Sequence, residues 1–204
     1  MPLFQSTFYP DLSTVIFYDD FIGAGYNARL WAVTGTGSIT ALSLIGGRIR
    51  VRANAGLSYL LNHGNNGGYA VSTKARVWWN GAMTPATAAN GKAECGYQGV
   101  TNPATEYICW RYQPNTGANF RCLCVSGGST NDQDSGVAGD NNDHTFQIEC
   151  VPGQVLFFLD GILRQTLATF ITAEALQPFV NCTGSAAVVS DFNANWVDAR
   201  GNRT

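Results

Sequence analysis

Few side chains in this sequence can do chemistry. Its glutamates are Glu94, Glu106, Glu149 and Glu174, and its histidines are His63 and His144. Both histidines stand beside Asn, Gly and Asp turn residues and read as solvated loop positions. No G-x-S-x-G, H-E-x-x-H or G-x-x-x-x-G-K-[ST] occurs, so the nucleophile elbow, the zinc-protease helix and the phosphate loop are all missing. Asp132, Asp134, Asp140 and Asp143 fall at positions 1, 3, 9 and 12 of a calcium-loop spacing. Gly136 and Val137 occupy the places of a ligand and of the turn glycine, and no helical pattern flanks the segment. A solvated hairpin loop is the expectation there.

Aromatic side chains offer a different chemistry, stacking on sugar rings beside amide or carboxylate partners. Trp78, Trp79, Trp110 and Arg111 are the candidate glycan-binding residues, with Tyr97 and Tyr112 nearby. On a strand, Trp78 and Trp79 must point to opposite faces. Ile108, Trp110 and Tyr112 share one face that reads as core, so packing is the alternative for each aromatic. Cys95, Cys109, Cys122, Cys124, Cys150 and Cys182 lie inside apolar strand-like runs, without a C-x-x-C pair. Reduced core thiols are expected; disulfides are the alternative, and structural zinc spacing is absent.

These residues must be positioned by strands. Almost every periodic segment alternates with period two and is rich in β-branched or aromatic residues. "VLFFLDGILRQT" (155–166) joins two apolar runs through Asp160-Gly161, a hairpin signature. Phe146, Ile148 and Cys150, then Val155, Phe157 and Leu159, line one buried face, leaving Thr145, Gln147 and Glu149 outward. "SGGSTNDQDSG" (126–136) reads as loop, and only "ITAEALQ" (171–177) reads as a short helix or turn. About a dozen strands without intervening helices predict an all-β, antiparallel two-sheet jelly-roll sandwich over residues 15–204.

Charged residues make up 13% of the 204, with a net charge of -2. There is no basic field for nucleic acid or an anionic membrane surface, so neither is expected as a partner. No run of 18 apolar residues occurs. The opening "MPLFQSTFYPDLST" lacks the basic and apolar regions of a signal peptide, so use without secretion by that route is expected. The Asn-x-Thr triplets at Asn181 and Asn202 are read as chance. Residues 1–14 form an irregular N-terminal arm carrying Leu3, Phe4, Phe8, Tyr9 and Leu12, too apolar for a free tail. The arm folds on its own sandwich or crosses a neighbouring subunit; both readings stay open.

Several landmarks in order resemble the concanavalin A-like lectin/glucanase superfamily, and more closely the laminin-G-like modules of tailed-bacteriophage virion proteins. They are "YDDFIG" (18–23) followed by Trp31, "LIGGRIRVRA" (44–53), the central pair "EYICWRYQPNTGANFRCLCVSGG", the stretch ending "LDGILRQT", and "AAVVSDFNANWVDAR" (186–200). The resemblance implies that the first and last long strands lie side by side. It also implies a structural calcium between Asp191 and the turn at Gly46 and Gly47, the alternative being an Asp that caps a turn; no other cofactor is implied. Glucanases of the superfamily carry E-x-D-x-x-E on one strand, and the segment most like it is Glu94-Cys-Gly-Tyr-Gln-Gly99. Gly96 and Gly99 stand where the second and third carboxylates belong, so the expectation is not an enzyme. The functional expectation is a non-catalytic virion structural protein, a capsid decoration or cement protein assembled in the host cytoplasm. Its partners would be the major capsid protein and copies of itself. A carbohydrate-binding module of a tail fibre or baseplate is the second reading, and a glycan hydrolase the third.

Overall fold

The computed structural model describes residues 14–22, 26–28, 30–43, 47–54, 58–63, 69–70, 75–87, 90–184 and 188–202. Among these residues there are sixteen strands and no helix. The first sheet runs, in spatial order, β14 (Ile162–Leu167), β13 (Gln154–Leu159), β12 (His144–Val151), β7 (Ala75–Thr84), β16 (Ser190–Asn202), β4 (Arg48–Ala53) and β3 (Gly37–Ser43). β1 (Thr14–Asp19) pairs with the far end of β16. The second sheet runs β11 (Ser129–Ala138), β10 (Asn119–Ser126), β9 (Tyr107–Tyr112), β8 (Lys92–Gly99), β15 (Ala175–Thr183), β5 (Ser58–His63) and β2 (Trp31–Gly35), with the two-residue β6 (Tyr69–Ala70) on β15. Every pairing is antiparallel. This is the expected two-sheet jelly roll, and its first and last strands do lie side by side.

Alternation explains which face meets the core. β4 reads half-buried and buried by turns, and β12 does the same with Phe146, Ile148 and Cys150 inward. Trp79 is fully buried, 5.8 Å from Trp31 and 6.0 Å from Phe192 between ring centres. Trp110 reaches from the second sheet to Phe146 and Phe157 of the first, at 5.9 and 5.7 Å. Each such ring removes enough apolar surface from water to contribute roughly 1.5–3 kcal/mol. Two hydrogen bonds cross the same core. The Tyr97 hydroxyl donates to the Arg76 carbonyl (2.6 Å) and the Trp110 indole N–H donates to the Gln147 carbonyl (3.1 Å). Most buried aromatic polar ends find such partners; the Trp79 indole N–H has none among the described residues.

The Asp160-Gly161 hairpin forms as its sequence implies, with φ of +52° and +78° at the two positions. Two local expectations fail. Residues 129–138 form a full strand, although all its side chains but two are polar or glycine, because β10 offers an edge and the Arg121 side chain binds Asp132. The segment 171–177 contains no helix; it is a loop that enters β15 at Ala175. The arm residues Leu3, Phe4, Phe8, Tyr9 and Leu12 lie outside the described residues.

Candidate functional site

Registry across β15, β8, β9 and β10 places a set of polar residues on the side of the second sheet that faces away from the core. Asn181, Glu94, Arg111 and Arg121 stand in one row, and Gln177, Gln98 and Tyr107 in another. Between them lies a row of Phe179, Gly96, Cys109 and Leu123. The Tyr107 and Phe179 rings meet edge to face at 6.5 Å. They belong to the two strands that flank β8, on either side of Gly96, where an added Cβ would collide with the Ile108 carbonyl and with Ile148.

The floor of this face is closed although it points outward. Gln98 is 2% exposed, and Cys109 and Leu123 are inaccessible. The Glu94 side chain is 3% exposed, whereas Arg111 and Lys92 retain 14% and 25%. This line of enclosed residues between partly open flanking side chains is here termed the trough. Its centre is the Glu94 carboxylate, which accepts from Arg111 Nε (2.6 Å) and Asn181 Nδ2 (2.6 Å) and pairs with Lys92 Nζ at 3.0 Å. Arg111 Nη2 also donates to the Tyr107 hydroxyl (3.3 Å). Burial pushes the Glu94 carboxyl up, but Lys92, Arg111 and the Asn181 amide more than reverse this and hold it below the usual range. The Tyr107 phenol moves the other way, raised mainly by burial and then by Cys109 and Glu94, so it keeps its proton.

The remaining glutamates are committed elsewhere. Glu149 pairs with Arg76 on the outer face of the first sheet. Glu106 accepts from the Gly127 amide (2.6 Å), and Glu174 accepts from both the main-chain amide and the side chain of Asn102. Both sit beside Gly99, where a side chain would collide with the Glu174 carboxylate and with Glu106. They tie loops together at the end of the sheet, whereas Glu94 belongs to the trough.

Of the expected glycan residues, Arg111 lies in the trough. Trp79 and Trp110 are wholly buried and have no face to offer a sugar. Tyr97 points into the core, and Tyr112 packs on Phe120 at 5.3 Å. Trp78 is half-buried on the first sheet's outer face with Arg200 stacked over it at 5.5 Å. The expected calcium does not fit: both Asp191 oxygens are taken by Arg52, at 2.7 and 2.6 Å. Gly47 lies at the other end of β4 against the Asp20 carbonyl, and Gly46 falls outside the described residues. Asp132 faces Arg121 on a strand instead of forming an ion loop, and no group of three metal-ligating side chains exists among the described residues. His144, expected in solvent, is clamped between Asp160 (2.6 Å) and Asp140 (2.9 Å). Lys92, Gln98, Tyr107 and Gln177 were not singled out by the sequence, and Asn181 was read only as part of a chance Asn-x-Thr triplet. The signal was the alternation Lys-x-Glu-x-Gly-x-Gln in β8, which is polar on one face although the strand is central.

No protein-family model and no curated protein sequence matches this chain. Solved structures do. An endo-acting O-glycanase of the human gut microbiota, of a group that initiates mucin breakdown, is 13% identical with a TM-score of 0.69, over 91% of this chain and 98% of that one. A β-glucanase of Bacillus licheniformis is 15% identical with a TM-score of 0.66, over 92% and 98%. The carbohydrate recognition domain of Emp47p is 10% identical with a TM-score of 0.65, over 90% and 94%. At these identities the likeness establishes the fold, a concanavalin A-like jelly roll. The expectations of a non-catalytic virion protein and of no enzyme are overturned by these neighbours. The absent E-x-D-x-x-E excluded one arrangement on one strand, and the virion reading leaned on an arm that the structure does not describe.

Proposed function

We propose that this protein cleaves a glycan laid in the trough of the second sheet. The observation that carries the reading is the trough itself: a polar, closed floor, with a fixed ionised carboxylate beneath partly open side chains. The glycan-cleaving neighbours share this fold over nine-tenths of the chain and support the same reading. Glu94 is too enclosed to touch a substrate and is a positioning residue, holding Arg111, whose guanidinium in turn holds Tyr107. The Tyr107 phenol is the proton-bearing group of the trough and is assigned the transfer to the departing sugar oxygen, while a water molecule adds to the anomeric carbon in place of the broken bond and its released proton restores the phenol.

The test is depolymerisation of β-1,3-glucan, β-1,4-glucan and mucin O-glycans, followed by release of reducing ends. Wild type should cleave at least one of these. Tyr107→Phe removes one oxygen and should lower the rate about 100-fold or more while leaving the melting temperature near wild type. Full activity in that variant overturns the role of Tyr107, and no cleavage of any glycan by wild type overturns the function.

A further inference from the structure

Phe170 is 45% exposed, and its φ is +56°. That left-handed conformation is unfavourable for a bulky side chain and persists only where the surroundings impose it. Here they do. Phe170 lies in the loop that leaves β14 in the first sheet and enters β15 in the second. Asn131 Nδ2 of β11 donates to Thr169 Oγ1 (2.8 Å), Ile171 packs against the core, and the Glu174 amide donates to Thr172 Oγ1 (3.1 Å). Glu174 also holds Asn102, and the Val100 amide donates to the Ala175 carbonyl (2.9 Å). None of these ties uses the Phe170 ring, and its exposed neighbours Ala168, Thr169 and Ala173 are small. An anchored loop thus holds a large ring in solvent, in a backbone conformation that Gly or Asn adopts at less cost.

We propose that Phe170 is a stacking platform for one pyranose ring of the glycan. The inference rests on the glycan reading above. Glu174, four residues on, sits beside Gly99 together with Glu106, the chain neighbour of Tyr107. Four residues span at most about 14 Å, so Phe170 stands within a few sugar units of the phenol. The flat apolar ring suits the C–H face of a pyranose, and the tied segments around it carry the hydroxyls and amides of Thr169 and Asn102. A protein partner fits less well. Of the exposed large hydrophobic side chains, only Val100 lies on a segment tied to this loop, whereas a stable protein contact buries about 800 Å² on each side. A ring already fixed in place also spares the cost of ordering it when the glycan binds.

The experiment measures kcat and KM of the full chain on whichever of β-1,3-glucan, β-1,4-glucan and mucin O-glycans it cleaves, beside the melting temperature. Phe170→Asn removes the ring and suits the positive φ. It should raise KM about fivefold or more, the scale of one aromatic contact, with a far smaller change in kcat. The melting temperature should hold or rise by about 2–4 °C as the strain is released. Phe170→Tyr keeps a ring and should return KM most of the way to the wild-type value. An unchanged KM in Phe170→Asn, or a KM as high in Phe170→Tyr, overturns the platform while the glycan reading stands. A melting temperature lowered by several degrees in Phe170→Asn overturns it too, because the ring would then be packing rather than waiting for a ligand. Cleavage of none of the three glycans by wild type removes the glycan reading, and the platform with it.

Discussion

At the scale of single residues, the trough depends on one carboxylate. Glu94 collects a guanidinium, an ammonium and an amide around two oxygens in a closed setting. Removing one member of a buried ionic group is far worse than never having built it, because the remaining charges stay desolvated. Glu94→Ala should therefore lower unfolding stability by about 3–5 kcal/mol in urea titrations. The same carboxylate sets an acid limit. Its folded pKa is depressed, so its contribution is fully present above the unfolded value of about 4.3 and is lost as pH falls toward the folded one. Wild type should lose stability below about pH 4.3 more steeply than Glu94→Ala. Parallel curves would mean that the network around Glu94 contributes little to folding.

At the scale of elements, the hairpin of β13 and β14 is tied to its neighbours by a histidine at the start of β12. His144 bonds Asp160, in the turn of that hairpin, and Asp140, in the loop before β12, while Asp143 of the same loop pairs with Arg48 of β4. Burial pushes the imidazole down, but the two carboxylates outweigh it and the net shift is upward. A raised folded pKa gives stability that is present below the unfolded value of about 6.5 and lost as pH rises through the folded one. The advantage of wild type over His144→Gln should thus shrink between pH 6 and pH 9, by less than about 1 kcal/mol because the site is partly solvated. An advantage that stays constant or grows would show the ring to be neutral when folded. The hairpin was legible in the sequence because Asp-Gly and alternation are local signals. The clamp was not, since Asp140 and Asp160 flank the histidine only after β12 and β13 pair. β11 was hidden for a related reason: an edge strand without an apolar face carries no periodicity, and its charges suit an edge that must not recruit another chain. The trough was half legible. Alternation in β8 put Glu94 and Gln98 on one face, but nothing local said that the face turned outward and was nonetheless closed.

At the scale of the whole molecule, the thiols report how the two sheets open. All six cysteines are buried and unpaired, five on the second sheet and Cys150 on the first. Burial raises every thiol, Cys124 least of those given values, to about 12, so at pH 8 almost none is thiolate. Cys95, Cys122, Cys124, Cys150 and Cys182 belong to the shared core, whereas Cys109 lies on the outward face under the trough. Tyr97 and Trp110 each bond across the core, so the sheets should separate as a unit rather than strand by strand. Reaction with a thiol reagent at pH 8 should therefore be negligible in the native protein. In rising urea the five core thiols should become reactive together, at the midpoint read by tryptophan fluorescence. Cys109 is the informative exception, because it lies outside the shared core, under a cover of Tyr107 and Phe179. If that cover yields while the core stays closed, Cys109 labels first and a bound oligosaccharide slows it. Early labelling of any core thiol would instead show that the sandwich opens piecemeal, and that the two cross-core hydrogen bonds do not couple the sheets.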